Sequence, residues 1–165
     1  MNIRTTLDGK MLVEDAQIMR GIFRNFSGEK EGRYDQKGRR YFNMLIDDPS
    51  IAQKMMADNL PVKILAPRDP EDEPQHIMKI SMKPENRYFP CKVRTVCNGV
   101  LTTLDPDDHG WDILDTAEIT SADLTIRLWE YNPGDYSAQL EEGIFTIQPL
   151  SYWASKYAEE EHPVE

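Results

Sequence analysis

Apolar and polar residues alternate over residues 124–128 and the strand-like run continues to Tyr131, and a period of two is the signature of a half-buried β-strand. Leu124, Ile126 and Leu128 fall on one face, while Thr125, Arg127, Trp129 and Tyr131 fall on the other. Comparable segments recur between turn residues. Residues 39–47, 62–65, 76–83, 91–97, 100–104 and 137–150 read as strands, and residues 16–26 read as a long strand bent at Gly21. Asn98-Gly99 and Asn132-Pro133-Gly134-Asp135 supply hairpin turns. Residues 27–38 form a polar loop, and residues 66–74 a stiff acidic loop containing Pro67, Pro70 and Pro74. Pro49 opens a short helix over 50–59. A second short helix, capped by an aspartate, falls within 105–117 and turns Trp111 and Leu114 inward. Residues 151–161 close the chain as a terminal helix.

This order of elements predicts a mainly β fold: an OB-like antiparallel barrel with short inserted helices and a C-terminal helix. A β-sandwich is the second architecture. The barrel is expected to occupy residues 1–158 as one domain, with a short acidic tail at 159–165.

The charges are sorted along the chain, whose formal net charge is −10. Residues 1–45 hold nine Lys/Arg against six Asp/Glu, and residues 77–99 hold five against one. Residues 100–165 hold two against fifteen. The basic stretches are interleaved with aromatic residues at strand spacing, which suits a surface that stacks bases and meets phosphates. Arg127, Trp129 and Tyr131 form the clearest such stripe. Further cations outside the core parity are Arg20 and Arg24 on the first strand, Arg39 beside Tyr41 on the second, and Lys79, Lys92 and Arg94 on the middle strands. Arg87-Tyr88-Phe89 lies in the loop between those middle strands. An ordinary charged solvent face explains each strand singly; an electrostatic groove explains them together.

Enzyme chemistry finds less support. Asp105-Pro106-Asp107-Asp108-His109-Gly110 begins like a calcium loop but has His109 at position five and Thr116 at position twelve. Asp105, Asp107 and Asp108 lack the further partner a two-metal nuclease requires, and a helix N-terminus accounts for them more simply. No P-loop, dinucleotide turn, HExxH or serine elbow occurs. His76, His109 and His162 have no metal-ligand spacing. In one strand Cys91 and Cys97 would stand ~20 Å apart, against the roughly 7 Å a disulfide spans. The expectation is a non-enzymatic protein without metal or cofactor. No apolar run reaches the length of a membrane span and residues 1–10 carry no signal-peptide core, so a cytoplasmic location is expected.

Several runs resemble a family. These are Phe23-Arg24-Asn25-Phe26-Ser27-Gly28, Tyr41-Phe42-Asn43-Met44-Leu45-Ile46-Asp47-Asp48, Val62-Lys63-Ile64-Leu65-Ala66-Pro67-Arg68 and Thr102-Thr103-Leu104-Asp105. Ala122-Asp123-Leu124-Thr125-Ile126-Arg127 with Trp129-Glu130-Tyr131, and Ile144-Phe145-Thr146-Ile147, complete the set. Over about residues 14–158 the chain is similar to phage and prophage replication single-stranded DNA-binding proteins with an OB barrel. The resemblance implies sequence-tolerant binding of single strands in a bacterial host, in replication or recombination. It implies site positions at Arg24, Tyr41, Arg127, Trp129 and Tyr131. Replication or recombination proteins would be partners, with self-association open. The chain departs from the family in holding Asp135, Glu141 and Glu142 between Tyr131 and Phe145, where the family carries more basic residues, and in a tail that ends in Glu165 rather than in an aromatic residue. In that tail Glu159, Glu160 and Glu161 would occupy the basic groove or contact partner proteins. The competing function is an acidic protein-binding module that inhibits a host nucleic-acid or defence enzyme by charge mimicry.

Overall fold

In a computed structural model that describes residues 1–6, 8–30 and 38–148, the alternating segments hydrogen-bond into a sheet of ten strands. The first two, β1 (Asn2–Thr5) and β2 (Lys10–Ile18), form an antiparallel pair. A 3-10 turn at Gly21–Phe23 leads to β3 (Arg24–Asn25), and β4 (Arg40–Ile46) follows. Helix α1 (Pro49–Ala57) begins where Asp48 accepts a hydrogen bond from the Ser50 amide at 2.9 Å, with Pro49 in the first turn. Strands β5 (Val62–Leu65), β6 (Gln75–Met82), β7 (Lys92–Cys97) and β8 (Val100–Leu104) come next. A short helix, α2 (Ile113–Thr116), precedes the long hairpin of β9 (Ile119–Asn132) and β10 (Asp135–Ile147).

The pairing order β5-β6-β4-β2-β9-β10-β7-β8 carries one extra link, between β6 and β10. Through that link the path β2–β9–β10–β6–β4 returns on itself as a ring. Inside it pack Met11, Val13, Phe42, Met44, Met78, Ile80, Leu124, Ile126 and Leu140. The rings of Phe26, Phe42 and Phe145 meet at its centre with centroids 5.4 Å apart in each pair, one pair stacked and two edge-on. Trp111 and Leu114, both fully buried, belong to the same core.

Four expectations change. The strand expected over 16–26 is broken: Gly21 adopts φ 66°, a conformation that favours glycine, and the 3-10 turn that follows separates β2 from β3. The sheet is not wholly antiparallel, because β10 runs parallel to both β6 and β7. Asp112 precedes α2 but makes no capping bond; Asp115 instead accepts the Phe26 and Ser27 amides at 2.6 and 3.2 Å. The acidic turn before α2 is a way into the core. Asp105 accepts the Asp107 amide at 2.9 Å, and a Cβ on Gly110 would stand 1.7 Å from the Asp105 carbonyl oxygen. Trp111 follows and donates to the Leu104 carbonyl at 3.3 Å. The expected terminal helix and acidic tail lie outside the described residues.

Cys91 and Cys97 are unbridged. Burial pushes the Cys91 thiol up to about 12. Its contribution to stability is therefore complete below the ordinary thiol pKa near 9.0 and is lost as the pH rises toward 12. In mildly alkaline buffer, iodoacetamide is expected to leave Cys91 unmodified in the native protein and to alkylate it after denaturation. Peptide mass spectrometry reads the difference, and rapid native labelling of Cys91 would contradict the burial.

Candidate nucleic-acid interface

Residues opposite one another on neighbouring strands project from the same face. One such row crosses the outside of the ring: Tyr41 on β4, Ser81 on β6, Gln139 on β10, Arg127 on β9 and Lys10 on β2. At about 4.8 Å per strand, Tyr41 and Arg127 stand ~14 Å apart along it. The same parity adds Lys79, Ser137 and Trp129, while Arg39, just before β4, lines a groove with Tyr41 and Lys79, and Tyr131 is the extra residue of a register shift at the hairpin tip.

Trp129 and Tyr131 are more than half exposed, at 56% and 54%. Such aromatic exposure on a strand face is what a stacking platform requires. The Arg127 guanidinium lies 3.6 Å from the Phe89 ring centroid and 3.8 Å from Glu141 Oε1. Arg127 Nε and the neighbouring Ser137 Oγ are buried without a hydrogen-bond partner among the described residues. Lys10 Nζ reaches Glu141 at 3.1 Å and Asp8 at 3.7 Å. On the β4–β6 side a groove of about 330 Å³ is lined by Arg39, Tyr41, Lys79, Ser81 and Lys83.

Chain connectivity explains why Phe89 sits here. Gln139 of β10 pairs with Ser81, and only three residues further on Glu142 pairs with Lys92. Strands β6 and β7 thus follow one another along β10, and residues 83–91 form a detour. Asn86 fixes that detour by accepting the Tyr88 and Phe89 amides at 3.0 and 3.1 Å. Tyr88 is left 80% exposed.

The residues singled out by sequence separate by where the fold places them. Lys79, Arg127 and Trp129 share the outer face described above, with Arg39 in the groove beside Lys79 and Tyr131 at the hairpin tip. Tyr41 points to that face but is buried, with Lys79 Nζ 4.1 Å from its ring centroid. It supports a cation and offers no open ring. Lys92 and Arg94 lie further along the sheet on β7, where Arg94 pairs with Glu142. Arg20 and Arg24 do not join them. Exposed Arg20 pairs with Glu118 at 2.8 Å. Arg24 is 2% exposed and donates to the carbonyls of Met19 at 2.6 Å, Ala117 at 2.7 Å and Leu114 at 3.3 Å. Burial lowers its pKa, helped by Arg20 and opposed by Asp115. Its place is inside the fold, as a clamp between β3 and the turn around α2. Glu159, Glu160 and Glu161 lie outside the described residues.

Sequence reasoning passed over Lys10 and the bulge in β10, and named Phe89 only within the loop run Arg87-Tyr88-Phe89. The Arg-Tyr-Phe run in a proline-bounded loop signals Phe89, whereas Lys10 precedes the first strand expected. Nothing in the local pattern marks the bulge: Leu140 pairs with Ile126 and Glu142 with Thr125, leaving Glu141 as the extra residue.

Among the described residues no group of three or more His, Cys, Asp or Glu is arranged to hold a metal ion, and no helix is long and apolar enough to cross a membrane. No curated protein and no solved structure matches the chain. A family model described as "Putative phage ssDNA-binding domain" matches residues 2–160, and the chain belongs to that family.

Proposed function

We propose that this protein binds single-stranded DNA with little regard to sequence, as an OB-like domain acting in phage replication or recombination, and catalyses no reaction. The observation that carries this reading is the outer face on which exposed Trp129 continues the stripe of Arg127, with exposed Tyr131 following at the hairpin tip. Bases stack on rings at about 1–3 kcal/mol each whatever their identity, while guanidinium and ammonium groups meet phosphates. Family membership over residues 2–160 supports the same ligand, and the ring path β2–β9–β10–β6–β4 supports the OB-like assignment. Replication and recombination proteins are the partners this role implies.

A fluorescence titration with labelled oligo-dT, at low and moderate salt, tests the reading. Binding that weakens steeply with salt is expected, with log K falling by about 0.7 per log unit of salt for every phosphate neutralised. Absence of binding at low salt overturns it. Capture of a nucleic-acid enzyme in that case, reversed by added DNA, would favour charge mimicry.

A further inference from the structure

Resting on that reading, we infer that Glu141 and Glu142 are an internal brake on the interface: they hold its cations until a phosphate backbone displaces them. The bulge in β10 makes this arrangement. In unbroken alternation successive residues point to opposite faces of a sheet. The extra residue sets the register so that Gln139 lies opposite Arg127 and Glu142 opposite Thr125, both on the outer face, with Glu141 between them. Glu141 reaches Lys10 Nζ at 3.1 Å and Arg127 at 3.8 Å, and Glu142 pairs with Arg94. One local irregularity thus supplies a carboxylate to each of the two cation groups that β10 separates.

Three features suit these pairs to exchange. Every side chain in them is partly open to solvent, between 24% and 38%, so a competing anion can reach the cations. Carboxylate and phosphate oxygens compete for the same guanidinium and ammonium donors. Arg127 is also held 3.6 Å from the Phe89 ring centroid, a contact that an exchange of anions does not itself remove. Partly exposed ion pairs contribute little to stability, so surrendering them costs the fold little.

The experiment compares wild type, E141Q, E142Q, the double variant and E71Q by oligo-dT titration across a salt series. Glu71 sits in the exposed loop between Pro70 and Pro74, so E71Q changes the net charge equally. E141Q is expected to bind about fivefold tighter than wild type at low salt, as an ion pair of this exposure allows. The double variant should bind tighter still. The salt dependence should steepen by about 0.7 for each additional phosphate neutralised, and E71Q should match wild type. If wild type binds and neither E141Q nor E142Q binds tighter than E71Q, the brake is overturned and the DNA-binding reading stands. If neither wild type nor any variant binds at low salt, both fall. Melting curves accompany each titration, and E142Q, at a separate ion pair, serves if E141Q does not fold.

Discussion

Replacing Arg127 and Trp129 together with alanine is expected to weaken oligo-dT binding by about a hundredfold at low salt, from roughly 1–3 kcal/mol for the stacked base plus the loss of a neutralised phosphate. The two changes act on different terms. Trp129 is 56% exposed, so its removal takes away a stacking surface with little effect on packing. Its signature is a similar loss at every salt concentration. Arg127 supplies charge, and its removal should reduce the salt slope by about 0.7. It also leaves Glu141 with Lys10 alone, which adds repulsion toward phosphate. Arg20→Ala is the control, because it removes one positive charge from an exposed position outside this face. Equal losses in Arg20→Ala and Arg127→Ala would mean that net charge alone governs binding. Unchanged affinity in the double variant would remove the site assignment.

Strands whose signal is local were legible in the sequence. Residues 62–65 and 100–104 match β5 and β8, and β4, β6 and β7 differ from expectation by a residue or so at their ends. In each, alternation or a short apolar run is bounded by Pro, Gly or Asn, and such punctuation acts within a few residues. The outward stripe of β9 was legible for the same reason. What escaped depends on distance along the chain or on phase. Parallel pairing of β10 with β6 and β7 brings together segments some fifty residues apart, and no local pattern encodes it. Phase explains Arg24. Counting parity from Arg20 to Phe26 presumes one strand, but the 3-10 turn at Gly21–Phe23 resets the count and sends Arg24 inward. Phase also hid the brake, since strict alternation through Glu141 and Glu142 gives no hint of a bulge.

Arg24→Met should lower stability by about 3 kcal/mol, because buried carbonyls that lose their donors cost roughly 1–3 kcal/mol each and regain part of it from water and from no longer burying a charge. For a chain of this length that is a fall in melting temperature of about 6–12 °C. Methionine nearly keeps the volume, so the change reports hydrogen bonding more than a cavity. The planar guanidinium reaches Met19 through Nε and both Leu114 and Ala117 through one terminal nitrogen. A lysine ammonium is a single point of donation and cannot serve acceptors so far apart, so Arg24→Lys should recover less than half of the loss. The readouts separate a clamp from a DNA-binding residue. At a temperature where the variant remains folded, a clamp leaves oligo-dT affinity within about twofold of wild type, a shift below about 0.5 kcal/mol. A DNA-contacting Arg24 would show the reverse, an unaltered melting curve with weakened binding. The buried position, the carbonyl partners and the lowered pKa all favour the clamp, and with Arg24 committed to the core the interface depends on the cations and rings of the outer face.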